Sequence, residues 1–211
     1  MIQITIDLAE PLGPQLTVAV EAIARAEVVA FPTDTLYGLA VDPRSDEALG
    51  ALFALKGRTA DRTVALIAGT LQQADAVGEI TGTARRLAER FWPGPLTLVV
   101  PAREGVAALA RSGEGLVGVR VPDHAVARAF ADACGHALTA TSANRTGRAA
   151  MHDPGEVAES LPDVTVLLDA GPSPGGLPST IVHAATGELR LLREGALPWS
   201  HVLEFLRSLP E

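Results

Sequence analysis

Short apolar runs rich in β-branched residues alternate along this chain with longer segments whose apolar residues recur at helical spacing. Seven runs have the length and composition of strands: 28–31, 64–68, 96–100, 116–121, 164–168, 181–184 and 189–192. Six segments have the spacing of helices: 15–26, 46–56, 83–91, 125–133, 156–161 and 199–209. The alternation predicts an α/β or α+β fold, and the strands gathered near the end of the chain favour a mixed sheet.

Composition indicates one compact domain over residues 1–211. Apolar residues make up 47% of the chain and charged residues 20%, which is enough for a sizeable core. The net charge of -8 argues against general DNA binding, although a local arginine-rich cleft can still hold a phosphate group. Because the sequence shows neither a secretion signal nor an apolar run that could span a bilayer, we expect a cytoplasmic protein with no membrane partner.

Three polar residues stand where helix N-caps would be useful: Ser45, Asp123 and Asp153. Pro154 follows the last of them at a favoured first helical position. The simplest interpretation is that all three side chains accept hydrogen bonds from the first turns of their helices.

Two formal motif matches fail on their structural context. Residues 113–118 fit a dinucleotide fingerprint but run into a predicted strand, whereas the fingerprint must open a helix. Residues 171–175 resemble a nucleophile elbow around Ser173, but prolines flank this serine and another strand follows. We interpret the second segment as a loop at the edge of a site. A Walker phosphate loop and paired metal-binding histidines are missing from the sequence, so we expect no protein-bound metal.

Polar residues cluster just where predicted strands and helices end. The hydroxyls of Thr33, Thr35 and Tyr37 suit a small polar metabolite, although a loop of this composition is often a simple turn. Cations follow helix 46–56 at Lys56, Arg58 and Arg62. They fit a phosphate group, and equally a cap that complements the helix dipole.

Further polar groups follow later strands of the predicted sheet. Ser142 and Asn144 lie after a short apolar run, while Ser179 precedes one strand and Arg193 follows another. Arg120 lies inside the apolar strand 116–121, so its charge requires a partner. That partner is either a structural carboxylate or an anionic ligand.

Taken in order, these blocks resemble the YrdC-like family. The matching segments are Pro32–Gly38, Lys56–Arg58, Phe91–Thr97, Val119–Pro122, Ser142–Asn144, Ser179–Thr180 and Arg193–Gly195. The resemblance implies an α/β fold with a twisted mixed open sheet and flanking helices. It also implies an L-threonylcarbamoyladenylate synthase, which makes threonylcarbamoyl-AMP and pyrophosphate from L-threonine, bicarbonate and ATP for tRNA modification. The chain resembles the short form of the family, which lacks a C-terminal regulatory domain.

The resemblance also implies roles for individual residues. Lys56 and Arg58 would be catalytic, and threonine and carbonate would be bound by Thr35, Arg120, Asn144 and Ser179. ATP would be bound by Lys56, Arg58, Arg62, Ser142 and Arg193. Mg²⁺ would arrive with ATP and be held mainly by phosphate oxygens and water. The product would pass to a downstream tRNA threonylcarbamoyltransferase complex.

The chain departs from the family pattern at Thr59, Thr63, Ile67 and Pro178. Two alternatives stay open: a non-catalytic YrdC-like protein that binds double-stranded RNA or tRNA, and a carbamoyl-transfer domain related to hydrogenase maturation proteins. The acidic balance of the chain disfavours the first, and the lack of cysteine-rich zinc modules disfavours the second.

Overall fold

The structure is a computed structural model that describes residues 1–57, 64–186 and 188–209. Its helices are α1 Leu12–Gln15, α2 Thr17–Ala24, α3 Asp46–Lys56, α4 Leu71–Val77, α5 Gly82–Phe91, α6 Ala125–Cys134, α7 Pro154–Ser160 and α8 Trp199–Ser208, with a 3₁₀ turn at Ala108–Ala110. Its strands are β1 Ile2–Thr5, β2 Val29–Phe31, β3 Gly38–Ala40, β4 Ala65–Ile67, β5 Leu96–Pro101, β6 Leu116–Arg120, β7 Leu138–Thr139, β8 Thr141–Ser142, β9 Val166–Asp169, β10 Thr180–His183 and β11 Arg190–Arg193.

The strands form two mixed sheets with helices packed against them, which confirms the α/β class. One sheet has five strands in the order β1-β9-β2-β3-β8, and the other has six in the order β11-β10-β5-β6-β4-β7. Parallel pairs occur in both, for example β1 with β9 and β10 with β5. Antiparallel pairs occur in both as well, for example β2 with β3 and β5 with β6. The sequence did not indicate that the strands would divide between two sheets.

The chain passes from one sheet to the other within residues 138–142. β7 pairs with β4 in the six-stranded sheet, and β8 pairs with β3 in the five-stranded sheet. Ala140 lies between them, and its amide donates to the carbonyl of Ala65 at 2.7 Å. The hydroxyl of Thr139 accepts from the amide of Val41 at 2.8 Å. This segment therefore ties the two sheets together beside Ser142.

A single apolar cluster contains buried residues of both sheets. Ala30 and Leu39 belong to the five-stranded sheet, while Leu66 and Leu98 belong to the six-stranded sheet. A second cluster brings residues of α2 and α6, including Phe130, against other strand residues. Burying this much Leu, Val and Ala surface is the main driving force that holds the two sheets at a fixed distance.

Helix α3 shows how local sequence positions a charged residue. Ser45 accepts from the amide of Ala48 at 3.1 Å and starts the helix, as the sequence predicted. Gly57 ends it with a left-handed φ of 59°, a conformation that glycine adopts without steric cost. The last helical residue is therefore Lys56, which is only 4% exposed.

The two other predicted caps differ in outcome. Asp153 accepts from the amides of Gly155 and Glu156, and Pro154 is the first residue of α7, as predicted. The prediction for Asp123 is wrong, because His124 occupies the N-cap of α6 and makes no side-chain cap. Asp123 instead contacts Arg128 at 3.2 Å, where a charged partner outweighs capping.

None of the helices in the described ranges combines the length and apolar character that crossing a membrane requires.

Candidate functional site

Residues of both sheets line a cavity of about 560 Å³. Five residues that the sequence assigned to substrate lie in its wall: Thr35, Arg120, Ser142, Ser179 and Arg193. They come from five separate stretches of the chain, so the fold brings together residues that are far apart in the sequence. The volume is that of a typical small-molecule site.

The β2–β3 turn supplies the threonine-rich wall of the cavity. The hydroxyl of Thr33 donates to the carbonyl of Leu36 at 2.7 Å and accepts from the amide of Thr35 at 3.2 Å. The Thr33 hydroxyl therefore stabilises the turn through these two hydrogen bonds. The hydroxyl of Thr35 lies 3.1 Å from that of Thr33 and is 6% exposed. Thr35 is therefore the hydroxyl of this turn that is best placed to meet a ligand.

Tyr37 has a structural role in the same turn. Its hydroxyl donates to the carbonyl of Gly171 at 2.8 Å, and the ring is fully buried. Burial raises the pKa of the Tyr37 hydroxyl well above its usual value, so the group stays a neutral donor. The amide of Gly175 donates to the carbonyl of Thr35 at 2.8 Å. The loop 171–176 is therefore fastened over the β2–β3 turn, and its Gly176 lines the cavity.

Ser173 lies in that loop and does not form a nucleophile elbow. Its amide donates to the carbonyl of His152 at 2.8 Å, while its buried hydroxyl has no hydrogen-bond partner among the described residues. The next regular element along the described chain is strand β10, not a helix. The segment 113–118 likewise runs into strand β6. The structure therefore agrees that neither the dinucleotide fingerprint nor the nucleophile elbow is formed.

Ser179, Thr97 and Arg193 form a polar group at the start of β10. The hydroxyls of Ser179 and Thr97 lie 2.9 Å apart. The Arg193 guanidinium donates through Nε and Nη2 to the carbonyl of Ser179, at 3.1 and 2.7 Å. The carbonyl holds the arginine at the end of β11, beside the cavity, where a guanidinium can bind a phosphate oxygen.

Arg120 is the most deeply buried charge of the cavity wall. It ends strand β6, is 6% exposed and lies 3.0 Å from a carboxylate oxygen of Asp34. Burial lowers the pKa of the Arg120 guanidinium, the charge of Asp34 raises it, and nearby Arg193 lowers it again. The sequence required a partner for this arginine, and Asp34 is that partner.

Lys56 and Asn144 are not among the described residues that line the cavity. The Lys56 ammonium donates to the carbonyl of Ser142, to the carbonyl of Asn144 at 2.9 Å and to Asn144 Oδ1 at 3.0 Å. Asn144 Oδ1 also accepts from the hydroxyl of Ser142 at 2.6 Å. These bonds connect the end of α3 to β8 and fix the position of Ser142 in the cavity.

Other positions singled out in the sequence are divided between the cavity and the part of the chain outside the described residues. Arg58, Arg62, Thr59 and Thr63 lie outside the described residues. Ile67 and Pro178 line the cavity, so both of these departures from the family pattern lie in its wall. The isoleucine and proline side chains give this part of the wall an apolar surface.

Sequence reasoning assigned no role to Asp34 or Thr97. Asp34 was detectable as the acidic residue of a polar turn in a chain that also carries a lone arginine in an apolar strand. Thr97 was detectable as a hydroxyl at the second residue of an otherwise apolar run. In each case the signal becomes informative only once the partner is known, which is Arg120 for Asp34 and Ser179 for Thr97.

Comparison with known proteins gives a consistent picture. The family model of Sua5, YciO and YrdC, described as telomere recombination, matches residues 21–195. The threonylcarbamoyl-AMP synthase of Pyrococcus abyssi is 33% identical over 190 residues, which are 89% of this chain and 56% of that protein. That of Idiomarina loihiensis is 33% identical over 177 residues, which are 81% of this chain and 94% of that protein.

The fold agrees with these sequence similarities. The crystal structure of P. abyssi Sua5 complexed with L-threonine has a TM-score of 0.89 and 32% identity, and the match covers 96% of this chain and 59% of that one. The present chain thus spans little more than half the length of the P. abyssi relative. Because the family model covers most of the chain and the fold of a relative superimposes on nearly all of it, the chain belongs to the Sua5/YciO/YrdC family.

Proposed function

We propose that this protein is an L-threonylcarbamoyladenylate synthase, a nucleotidyltransferase that uses L-threonine, bicarbonate and ATP. One observation carries the proposal. The cavity collects, from distant parts of the chain, two arginines and three hydroxyl groups that the family resemblance assigns to amino acid and nucleotide. The similarity to a structure that holds L-threonine supports the same assignment.

The reaction has two bond-forming steps. The threonine ammonium first loses a proton, and the free amine then attacks the bicarbonate carbon, so that loss of water leaves a carbamate. A carbamate oxygen then attacks the α-phosphorus of ATP, a new P–O bond forms, and the bond to the β-phosphate oxygen breaks to release pyrophosphate. Negative charge grows on the α-phosphate and on the leaving group, so fixed cations stabilise the transition state more than the ground state.

Different parts of the cavity wall suit the amino acid and the nucleotide. Thr35, Arg120 and Ser179 supply a carboxylate-binding cation and hydroxyls for the amino acid, with bicarbonate beside them. Ser142 and Arg193 supply a hydroxyl and a guanidinium for the nucleotide. We assign to Lys56 and Asn144 the role of holding Ser142 in place, because the Lys56 ammonium donates to Ser142 and to Asn144. Arg58 and Arg62 keep their proposed role as phosphate ligands.

Mg²⁺ fits this site as a companion of ATP. Cationic and hydroxyl side chains suit phosphate oxygens, whereas the nearest carboxylate of the site, Asp34, already faces Arg120. Magnesium prefers phosphate oxygens and water as ligands and would neutralise charge on the triphosphate. A downstream tRNA threonylcarbamoyltransferase complex would take up the product, and a cytoplasmic location stays a prediction from the sequence.

The test is pyrophosphate release by the purified protein. We expect release only when ATP, Mg²⁺, bicarbonate and L-threonine are all present, with threonylcarbamoyl-AMP detected by mass spectrometry. L-Serine and L-valine, which lack the methyl and the hydroxyl group respectively, should give less product. Pyrophosphate release that does not depend on threonine would contradict the proposal.

Two arginines of strand β11 provide a matched pair of variants. Arg193 lines the cavity, whereas Arg190, three residues earlier, is exposed and does not line it. We expect Arg193→Gln to raise the KM for ATP by about tenfold or more, the effect of losing a charged hydrogen bond. Arg190→Gln should leave the KM for ATP unchanged. Equal effects of the two substitutions would exclude Arg193 from the nucleotide site.

A further inference from the structure

The ion pair between Arg120 and Asp34 connects the two sheets. Arg120 ends β6 in the six-stranded sheet, and its carbonyl accepts from the amide of Ala68 at 2.9 Å. Asp34 lies in the turn between β2 and β3 of the five-stranded sheet. Guanidinium Nη2 and carboxylate Oδ1 are 3.0 Å apart, and the two side chains are 7% and 10% exposed. The contact is thus formed in a largely water-free place.

The environment of Arg120 requires such a counter-charge. Removing a guanidinium from water is costly, and the second cation of the cavity wall, Arg193, adds repulsion. Asp34 supplies a negative charge that offsets these two effects in part. No hydrogen bond joins the Arg120 side chain to another of the described residues, so Asp34 is the feature that specifies where this guanidinium lies.

The carboxylate of Asp34 is equally dependent on Arg120. Both of its oxygens are buried, and neither accepts a well-aligned hydrogen bond from the described part of the chain. The 3.0 Å contact is therefore a close charge pair and not a linear hydrogen bond. Thr33, the preceding residue, is bonded to the backbone of the turn, which fixes the turn without using the carboxylate. Arg120 is therefore the ion-pair partner of Asp34.

We propose that Asp34 is a positioning residue, which holds the Arg120 guanidinium so that its remaining N–H donors face the carboxylate of the amino-acid substrate. A guanidinium has five N–H donors, so contact with Asp34 through Nη2 leaves donors for a second carboxylate. The inference rests on the proposed function and deepens it, because it explains how one wall of the cavity is prepared for threonine before threonine arrives. Pre-positioned donors bind more tightly, since less ordering is needed on binding.

Asp34→Asn is the direct test because it keeps the size of the side chain and removes its charge. We expect the KM for L-threonine to rise about tenfold or more, the effect expected when a charged hydrogen bond is impaired, and the KM for ATP to change by less than about twofold. Calorimetric titration with L-threonine should show the same loss of affinity. Asp34→Glu retains the charge and should keep the KM for threonine much closer to that of the unmodified protein.

A double-mutant cycle separates positioning from a general structural effect. In an Arg120→Gln background Asp34 has no guanidinium to hold, so adding Asp34→Asn should weaken threonine binding no further. The double variant should also melt at a higher temperature than Arg120→Gln alone, because the single variant leaves a buried carboxylate unpaired. This comparison stays decisive even if Asp34→Asn alone folds poorly.

Three results would overturn the inference. They are an unchanged threonine KM in folded Asp34→Asn, an equal rise in the KM values for threonine and ATP, and additive effects of the two substitutions on threonine binding. The failure of the proposed function looks different, since the unmodified protein would then release no pyrophosphate in response to threonine. That result would contradict both the proposed function and the proposed role of Asp34.

Discussion

At the scale of single residues, the site is organised by buried ionisable groups that lie close together. Asp34 and Arg120 form a nearly water-free pair, and the charge of Asp34 also acts on His124, which precedes helix α6. The Nδ1 atom of His124 is buried and has no hydrogen-bond partner among the described residues. A protonated imidazole would carry an unpaired N–H there, so the folded protein favours the neutral ring.

The protonation of His124 leads to a prediction about stability and pH. Burial lowers the pKa of His124, the charge of Asp34 partly opposes this, and Arg128 lowers it further. The unfolded chain therefore binds more protons than the folded one, so this histidine makes the free energy of unfolding decrease as the pH falls through about 6.5. We expect this part of the decrease to disappear in His124→Gln.

Urea denaturation at a series of pH values between about 5 and 8 checks this expectation. The stability of the unmodified protein relative to His124→Gln should be greatest at the alkaline end and should shrink on acidification. A stability difference that is constant with pH, or that grows in acid, would show that the folded state does not favour neutral His124.

The sequence predicted which residues form the wall of the cavity better than it predicted the contacts that their side chains make. Hydroxyls and arginines at strand ends could be predicted because strand ends meet at the edges of sheets, and five of these residues do line the cavity. The direction of a long side chain could not be predicted. Lys56 ends a helix whose last turn faces Ser142 and Asn144, so its ammonium donates to that loop instead of lining the cavity.

At the scale of elements, the site depends on how closely the chain after β11 approaches the chain before β10. A Cβ atom added to Gly195 would lie 2.0 Å from the carbonyl oxygen of Pro178 and 2.7 Å from that of Ser179. Both are backbone atoms that cannot turn away. The amide of Gly195 also donates to the hydroxyl of Thr180 at 2.9 Å, so the two segments are held in contact. Glycine is needed here for its size.

Gly195→Ala should therefore displace Ser179 and, with it, the carbonyl that holds Arg193. We expect turnover to fall by more than about tenfold and the free energy of unfolding to fall by about 1–3 kcal/mol, the usual range for overpacking. Gly113→Ala is the control, because nothing lies within 4 Å of an added Cβ there. Denaturation and steady-state kinetics measure both effects, and unaltered kinetics in Gly195→Ala would show that the contact is easily relieved.

Strands that lie in largely apolar runs were predicted from the sequence. All seven predicted strands are present, whereas β1, β3, β7 and β8 were missed. β7 and β8 have two residues each, and β3 contains a glycine, so none of these three carries a period-two pattern long enough to detect. β1 is different, because Ile2 and Ile4 alternate with polar residues and this pattern was detectable. The predicted helix at 15–26 corresponds to α2, Thr17–Ala24, and overlaps the separate short helix α1 only at Gln15.

At the scale of the whole molecule, the net charge and the charge of the cavity have opposite signs. The chain carries a formal charge of -8, while the cavity wall contains Arg120 and Arg193. A mononucleotide can be held by a few close cations even in an acidic protein. A polynucleotide needs many phosphate contacts over a long surface, and an acidic surface repels it.

We therefore expect no binding of duplex RNA at about 0.15 M salt, and little even at lower salt. Fluorescence anisotropy with a labelled RNA duplex, compared with a labelled ATP analogue, measures both interactions under the same conditions. Tight duplex binding that weakens steeply with added salt, in a protein that turns over no ATP, would favour the RNA-binding alternative over the enzyme.

The crossing between the sheets at residues 138–142 constrains how this chain can vary. Ala140 is hydrogen-bonded to β4, and Ser142, two residues later, is paired with β3. The single residue between them leaves no spare chain length between these two contacts. An added or deleted residue at this point would shift one attachment relative to the other and carry Ser142 away from Arg120. We expect relatives with working sites to differ freely in the lengths of their outer loops while keeping this crossing at a constant length.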